Sequence, residues 1–124
     1  MLTENVIQKK DIPDLSSLPV AIEPDLDHEL INLVACLAPG TPWGDRQIAA
    51  QRLGNKRDQR AVPALLEALP DDNFWMVRCA IIQALEKIGD PKAVPTLRKV
   101  EVNDAFQIVQ SYACKAIERL TEKL

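Results

Sequence analysis

Ala61-Val62-Pro63-Ala64-Leu65 returns as Ala93-Val94-Pro95-Thr96-Leu97, 32 residues further on. The same shift carries Trp43 onto Trp75, Arg46 onto Arg78, Gln51 onto Gln83, Leu53 onto Leu85 and Asp58 onto Asp90. It also carries Asp72 onto Asp104, Phe74 onto Phe106 and Val77 onto Val109. Laid on 75–109 without a gap, residues 43–77 give 12 identities in 35 pairs. Average residue usage would give roughly two or three. A period of this length marks stacked supersecondary units, each needing a neighbour to bury its apolar face.

Working outward, Phe74, Val77, Ile81, Ala84, Leu85 and Ile88 fall on one face of a helix, as do Phe106, Val109, Ala113, Ala116, Ile117 and Leu120. Gly89-Asp90-Pro91 closes one helix and opens the next: Gly suits the left-handed end, Asp the cap and Pro the first turn. Pro63 and Pro95 must each stand near the start of a helix. Upstream, Leu30, Leu33, Val34 and Leu37 shift onto Val62, Leu65, Leu66 and Leu69, the second half of a preceding, partial repeat. The pattern predicts helices over 26–37, 43–54, 61–69, 74–88, 92–101 and 105–121. Asp25 or Asp27 is the expected cap of the first. Residues 1–25 contain Pro13, Pro19 and Pro24 and no helical stripe, so they read as an extended arm ahead of a repeat domain over 26–124.

Ala49-Ala50-Gln51-Arg52-Leu53-Gly54 with Asp58 to Leu66, and Val77-Arg78-Cys79-Ala80 with Ala84 to Pro95, resemble the short HEAT-like repeat named for phycobilisome lyases. The resemblance covers about residues 42–121. It implies an all-α fold, a short α-solenoid of about five to six helices in HEAT-like hairpins, following the extended arm. It further implies that Arg46, Arg78, Asp58 and Asp90 tie neighbouring units together, a tie altered where Gln110 takes the arginine position. The first repeat departs from the second, with Asp45, Arg52, Lys56 and Arg57 where the second has Val77, Ala84, Ile88 and Gly89. Its first helix therefore has a narrower apolar face and is expected to sit less firmly.

The chain has 124 residues and a net charge of −3, and a pI near 5.1, which argues against a general nucleic-acid binder. Residues 45–60 nevertheless carry Arg46, Arg52, Lys56, Arg57 and Arg60 against Asp45 and Asp58, net +3. Such a run fits either a partner with an acidic surface or a solvated helix face. No apolar run is long enough to span a membrane, and Met1 to Lys10 has no signal-peptide core. Three cysteines, Cys36, Cys79 and Cys114, form no CxxC pair and point to a reduced, cytoplasmic setting. They read as small hydrophobes, with no histidine in the repeat region to activate a thiolate. His28-Glu29 is similar to the His-Glu motif of the HEAT-like di-iron enzyme deoxyhypusine hydroxylase. That family uses several such pairs, whereas this chain has one histidine, so neither metal nor cofactor is expected.

Trp43 and Trp75 hold the same place in successive repeats, beside Arg46 and Arg78. Trp and Arg dominate interface energetics, so these four, with Arg52, Lys56, Arg57 and Arg60, form the candidate partner-binding set. The alternative is that both indoles pack on neighbouring loops. Ile108 and Tyr112 add a second apolar strip to the last helix, which a second copy of the chain or the N-terminal arm would cover. The function expected is a non-catalytic protein-binding scaffold. The resemblance offers a subunit or accessory factor of a bilin lyase as the alternative, and some HEAT-like glycosylases bind nucleic acid.

Overall fold

Pro63 and Pro95 each stand second in a helix, where a missing amide hydrogen leaves no carbonyl unpaired. The computed structural model describes residues 24–122, with side chains from residue 28. Among the described residues six α-helices follow one another: α1 (Pro24–Ala35), α2 (Trp43–Lys56), α3 (Val62–Asp71), α4 (Trp75–Ile88), α5 (Val94–Asn103) and α6 (Gln107–Glu122). No strand occurs among the described residues. The helices α2, α4 and α6 pack side by side, while α1, α3 and α5 lie against α2, α4 and α6 respectively. This is the short all-α solenoid that the 32-residue period predicts.

Each expected helix is present, and the differences lie at the ends. The first begins at Pro24, which puts Asp25 and Asp27 inside it rather than before it, and ends at Ala35. Leu37 falls in the following turn yet is only 6% exposed. The arm expected over 1–25 lies, up to residue 23, outside the described residues. A single 3₁₀ turn precedes each short helix, Gln59–Ala61 before α3 and Pro91–Ala93 before α5. The carboxylates of Asp58 and Asp90 cap these turns, accepting from the amides of Arg60 and Lys92 at 2.9 and 3.0 Å. They are therefore local caps and not the ties between units that the resemblance implies. Helix α3 runs on through Pro70 because a proline in the last turn removes only one ladder bond.

The inner side of α2 is closely seated, despite its narrow stripe. A methyl group added at Gly54 would stand 2.7 Å from the Cα of Ala84 and 3.0 Å from its Cβ. Glycine here lets α2 and α4 approach backbone to backbone, and Ala49, Ala50 and Leu53 are buried beside it. Helix α4, lying between α2 and α6, is covered on two sides. Cys79, Ala80 and Ile82 are buried along with Val77, Ile81, Ala84 and Leu85. The stripe read from the sequence takes in only one of those sides. Helix α6 is different. Ser111, Cys114 and Glu118 stand where α4 has Cys79, Ile82 and Glu86, so its outward side is polar. Tyr112 packs against the core and does not join Ile108 in an outward apolar strip, and of the two only Ile108 is exposed.

Candidate functional site

Arg46 and Arg78 project from the first turns of α2 and α4 into the stack, where they are 6% and 9% exposed. Arg46 donates to Asp72 through Nε at 2.8 Å and Nη2 at 3.2 Å. Arg78 donates to Asp104 in the same way, at 2.7 and 3.0 Å. The third nitrogen of each reaches a backbone carbonyl, of Thr41 and Pro39 for Arg46 and of Asp72, at 2.9 Å, for Arg78. Each arginine thus ties its own helix to the segment before it and to the end of the short helix after it. Gln110 keeps the first of these bonds, donating to the carbonyl of Asp104 at 2.8 Å. The arginines do tie units together, but their partners are Asp72 and Asp104. That signal was available, since Asp72 recurs as Asp104 at the same spacing as the arginines. Buried and doubly bonded, Arg46 and Arg78 present almost no surface to a partner.

The tryptophans lie at the edge where α2 and α4 begin. Trp43 opens α2 and Trp75 opens α4, with Phe74 just before the latter and Phe106 just before α6. The rings pair from one repeat to the next. Trp43 lies 4.5 Å from Phe74, tilted by 34°, and Trp75 stacks on Phe106 at 6.1 Å and 19°. The Arg78 guanidinium is 5.7 Å from the centre of the Phe106 ring. Trp43 and Phe106 at the two ends are each 46% exposed, whereas Phe74 and Trp75 between them are half-buried. The indoles pack on neighbouring phenylalanines, and Trp43 and Phe106 remain open to solvent at the two ends of the row. The phenylalanines were read as core stripe from the sequence, because their spacing does not distinguish the first residue of a helix from its cap.

The basic run lies elsewhere. Trp43 and Lys56 are the first and last of the 14 residues of α2, so about 20 Å separates them. Lys56 pairs with Glu29 of α1 at 2.8 Å, and Arg60 with Asp58 at 2.8 Å. Arg52 and Arg57 are exposed. The eight residues grouped from the sequence therefore form three sets: an aromatic edge, a buried pair of arginines and a basic corner at the opposite end of α2.

Two grooves run between successive short helices, in register. One of about 450 Å³ lies between α1 and α3, and one of about 570 Å³ between α3 and α5. The 32-residue shift carries Val34, Leu37, Ala68 and Arg46 of the first onto Leu66, Leu69, Val100 and Arg78 of the second. Their rims differ in charge, with Glu67 and Asp71 in the first where the second has Lys99 and Asn103. Asn73 and Ala105 also line them, immediately before Phe74 and Phe106, so both grooves end at the aromatic edge.

Burial pushes the Cys79 thiol above its ordinary range, and a hydrogen bond with Glu101 is the main cause of a rise at Cys114. Both shifts disfavour the thiolate. Glu29 of the His28-Glu29 pair is engaged with Lys56, and no group of three or more metal-ligating side chains occurs among the described residues. No helix among them is long and apolar enough to cross a membrane. No curated protein matches the chain at a significant level. The family model of HEAT repeats matches residues 32–118, the span that holds the paired arginines, the aromatic edge and both grooves, and the chain belongs to the HEAT repeat family.

Proposed function

We propose that this protein is a non-catalytic scaffold that binds another protein along its aromatic edge. HEAT repeats generally mediate protein–protein contact, and the observation that carries the reading is the row Trp43, Phe74, Trp75 and Phe106. Its two ends stay about half exposed although the rings are already paired. Rings held in place by stacking lose little freedom on binding, and aromatic anchors of this kind supply about 2 kcal/mol or more each when a partner buries them. The grooves that end at this edge would accept apolar side chains from the same partner. The basic corner at Arg52, Arg57 and Arg60 faces another end of the molecule and is a separate surface, suited to acidic groups.

The test is affinity capture with the tagged chain beside a Trp43→Ala/Phe106→Ala variant, reading protein bands and the visible spectrum. Both side chains are exposed, so the substitutions leave the core intact. A partner held by the native chain and lost with the variant supports the aromatic edge. One held equally by both removes it in favour of another surface. A coloured bilin protein retained on the column would replace the scaffold reading with that of a lyase subunit.

A further inference from the structure

The residues at the C-terminal ends of the short helices repeat in kind but not in charge. The 32-residue shift carries Ala38 onto Pro70 and Pro70 onto Val102, and all three are exposed, Val102 at 73%. Ala38 lines the first groove and Pro70 the second, so this apolar row passes from groove to groove near the aromatic edge. The same shift carries Ala35 onto Glu67 and Glu67 onto Lys99, and Pro39 onto Asp71 and Asp71 onto Asn103. In each groove the arginine and aspartate that line it neutralise each other. That leaves Glu67 and Asp71 in the first groove and Lys99 in the second. All three are exposed, and none has an ion pair among the described residues. Glu67 and Asp71 stand at i and i+4 on α3, where like charges repel and a cation between them relieves the repulsion.

These features select one kind of occupant. Apolar grooves with unpaired carboxylates in one and an unpaired ammonium in the next are complementary to an apolar segment that carries a base and, further along, an acid. Packed helices lie about 8–10 Å apart, which sets the step from groove to groove. A segment in the polyproline II conformation returns to the same face every third residue, about 9 Å on. A β-strand would turn residue i+3 to its other face. Aromatic side chains border the grooves that receive polyproline II segments, and Phe74 and Phe106 stand where these two grooves end.

Resting on the scaffold reading above, we infer that the two grooves take one polyproline II segment of a partner protein. Its apolar side chains at i and i+3 enter successive grooves, a lysine or arginine lies beside Glu67 and Asp71, and an aspartate or glutamate lies beside Lys99. The test is panning of random peptides displayed on phage against the full tagged chain. A Glu67→Lys/Asp71→Lys variant and the Trp43→Ala/Phe106→Ala variant are panned alongside. The native chain should enrich peptides with proline or another apolar residue at i and i+3, flanked by a base on one side and an acid on the other. The best of them, as a free peptide, should bind the charge-reversed variant at least about tenfold more weakly, with its helix content unchanged by circular dichroism. Added salt should weaken binding to the native chain. Peptides without a basic residue, apolar residues spaced seven apart as on a helix, or no enrichment would each overturn the inference. So would equal binding to the native and charge-reversed chains, or self-association in sedimentation that the charge reversal abolishes, which would make a second copy the occupant. Peptides lost with Trp43→Ala/Phe106→Ala but kept by the charge reversal would uphold the aromatic edge and remove the grooves. Peptides lost only with the charge reversal would uphold the grooves and remove the edge.

Discussion

Arg78 holds Asp104, 26 residues further along the chain, by two hydrogen bonds from one edge of its guanidinium. The side chains are 11% and 7% exposed, and Asp104 also accepts from the amide of Phe106 at 2.9 Å. Arg46 and Asp72 repeat the arrangement one unit earlier, where Asp72 accepts from the amide of Phe74. Removing one member of such a pair leaves a buried charge without a partner. Asp104→Ala is expected to lower the unfolding free energy by about 3–5 kcal/mol in urea titration. Arg78→Lys should fall well short of the native chain, since an ammonium cannot make the paired bonds. An Arg78→Met/Asp104→Leu double variant should be more stable than either single loss. Equal stability of Asp104→Ala and the native chain would show that the pair contributes nothing.

Gly54 decides how closely α2 and α4 approach. Replacing glycine by alanine in a helix ordinarily stabilises by about 1 kcal/mol. Here the added carbon would meet backbone at 2.7 Å, which a rotamer change cannot relieve. Gly54→Ala is therefore expected to destabilise by about 1–3 kcal/mol through overpacking. A rise in the thermal midpoint would mean that the two helices can part without loss.

The fold was legible because repetition states each element twice. The Ala-Val-Pro triplets at 61–63 and 93–95 place two helix starts, and Gly89 places a helix end. What was not legible is partnership across the stack. The resemblance gives Arg46 and Arg78 a tie between units but with Asp58 and Asp90, and only the fold shows that the partners are Asp72 and Asp104, within 3 Å of them. Likewise Trp43 and Lys56 look close in sequence, yet they end up at opposite ends of one helix. Pairing of Trp43 with Phe74 depends on which residue begins each helix, and periodicity is least informative at helix ends.

Arg57 closes α2 in the left-handed conformation, with φ of 55°, where the next repeat has Gly89 at φ 82°. A side chain in that region costs about 1–2 kcal/mol, and the greater freedom of glycine in the unfolded chain takes back part of the gain. Arg57→Gly is expected to raise stability by roughly 0.5–1 kcal/mol, read as a higher urea midpoint with an unchanged slope. The exposed guanidinium has no part in the core, so an unchanged or lower midpoint would show that the turn carries no strain.

Asp58 couples the first of the two repeated turns to pH. Its carboxylate accepts from the side chain and the backbone of Arg60, which together hold its pKa below the ordinary carboxylate value. A group whose folded pKa is lowered stabilises the fold above its unfolded pKa, and that contribution is lost as pH falls through the folded value. Asn can still cap the turn but carries no charge, so Asp58→Asn isolates the titrating part. The native chain should be more stable than the variant near neutral pH, by a margin that holds above the ordinary carboxylate range and is lost as pH falls through the lowered pKa. Added salt should narrow the margin at neutral pH, because the Arg60 side chain is 55% exposed. Urea midpoints of the two chains measured across this range check the prediction, and a margin independent of pH would assign the whole effect of Asp58 to its hydrogen bonds.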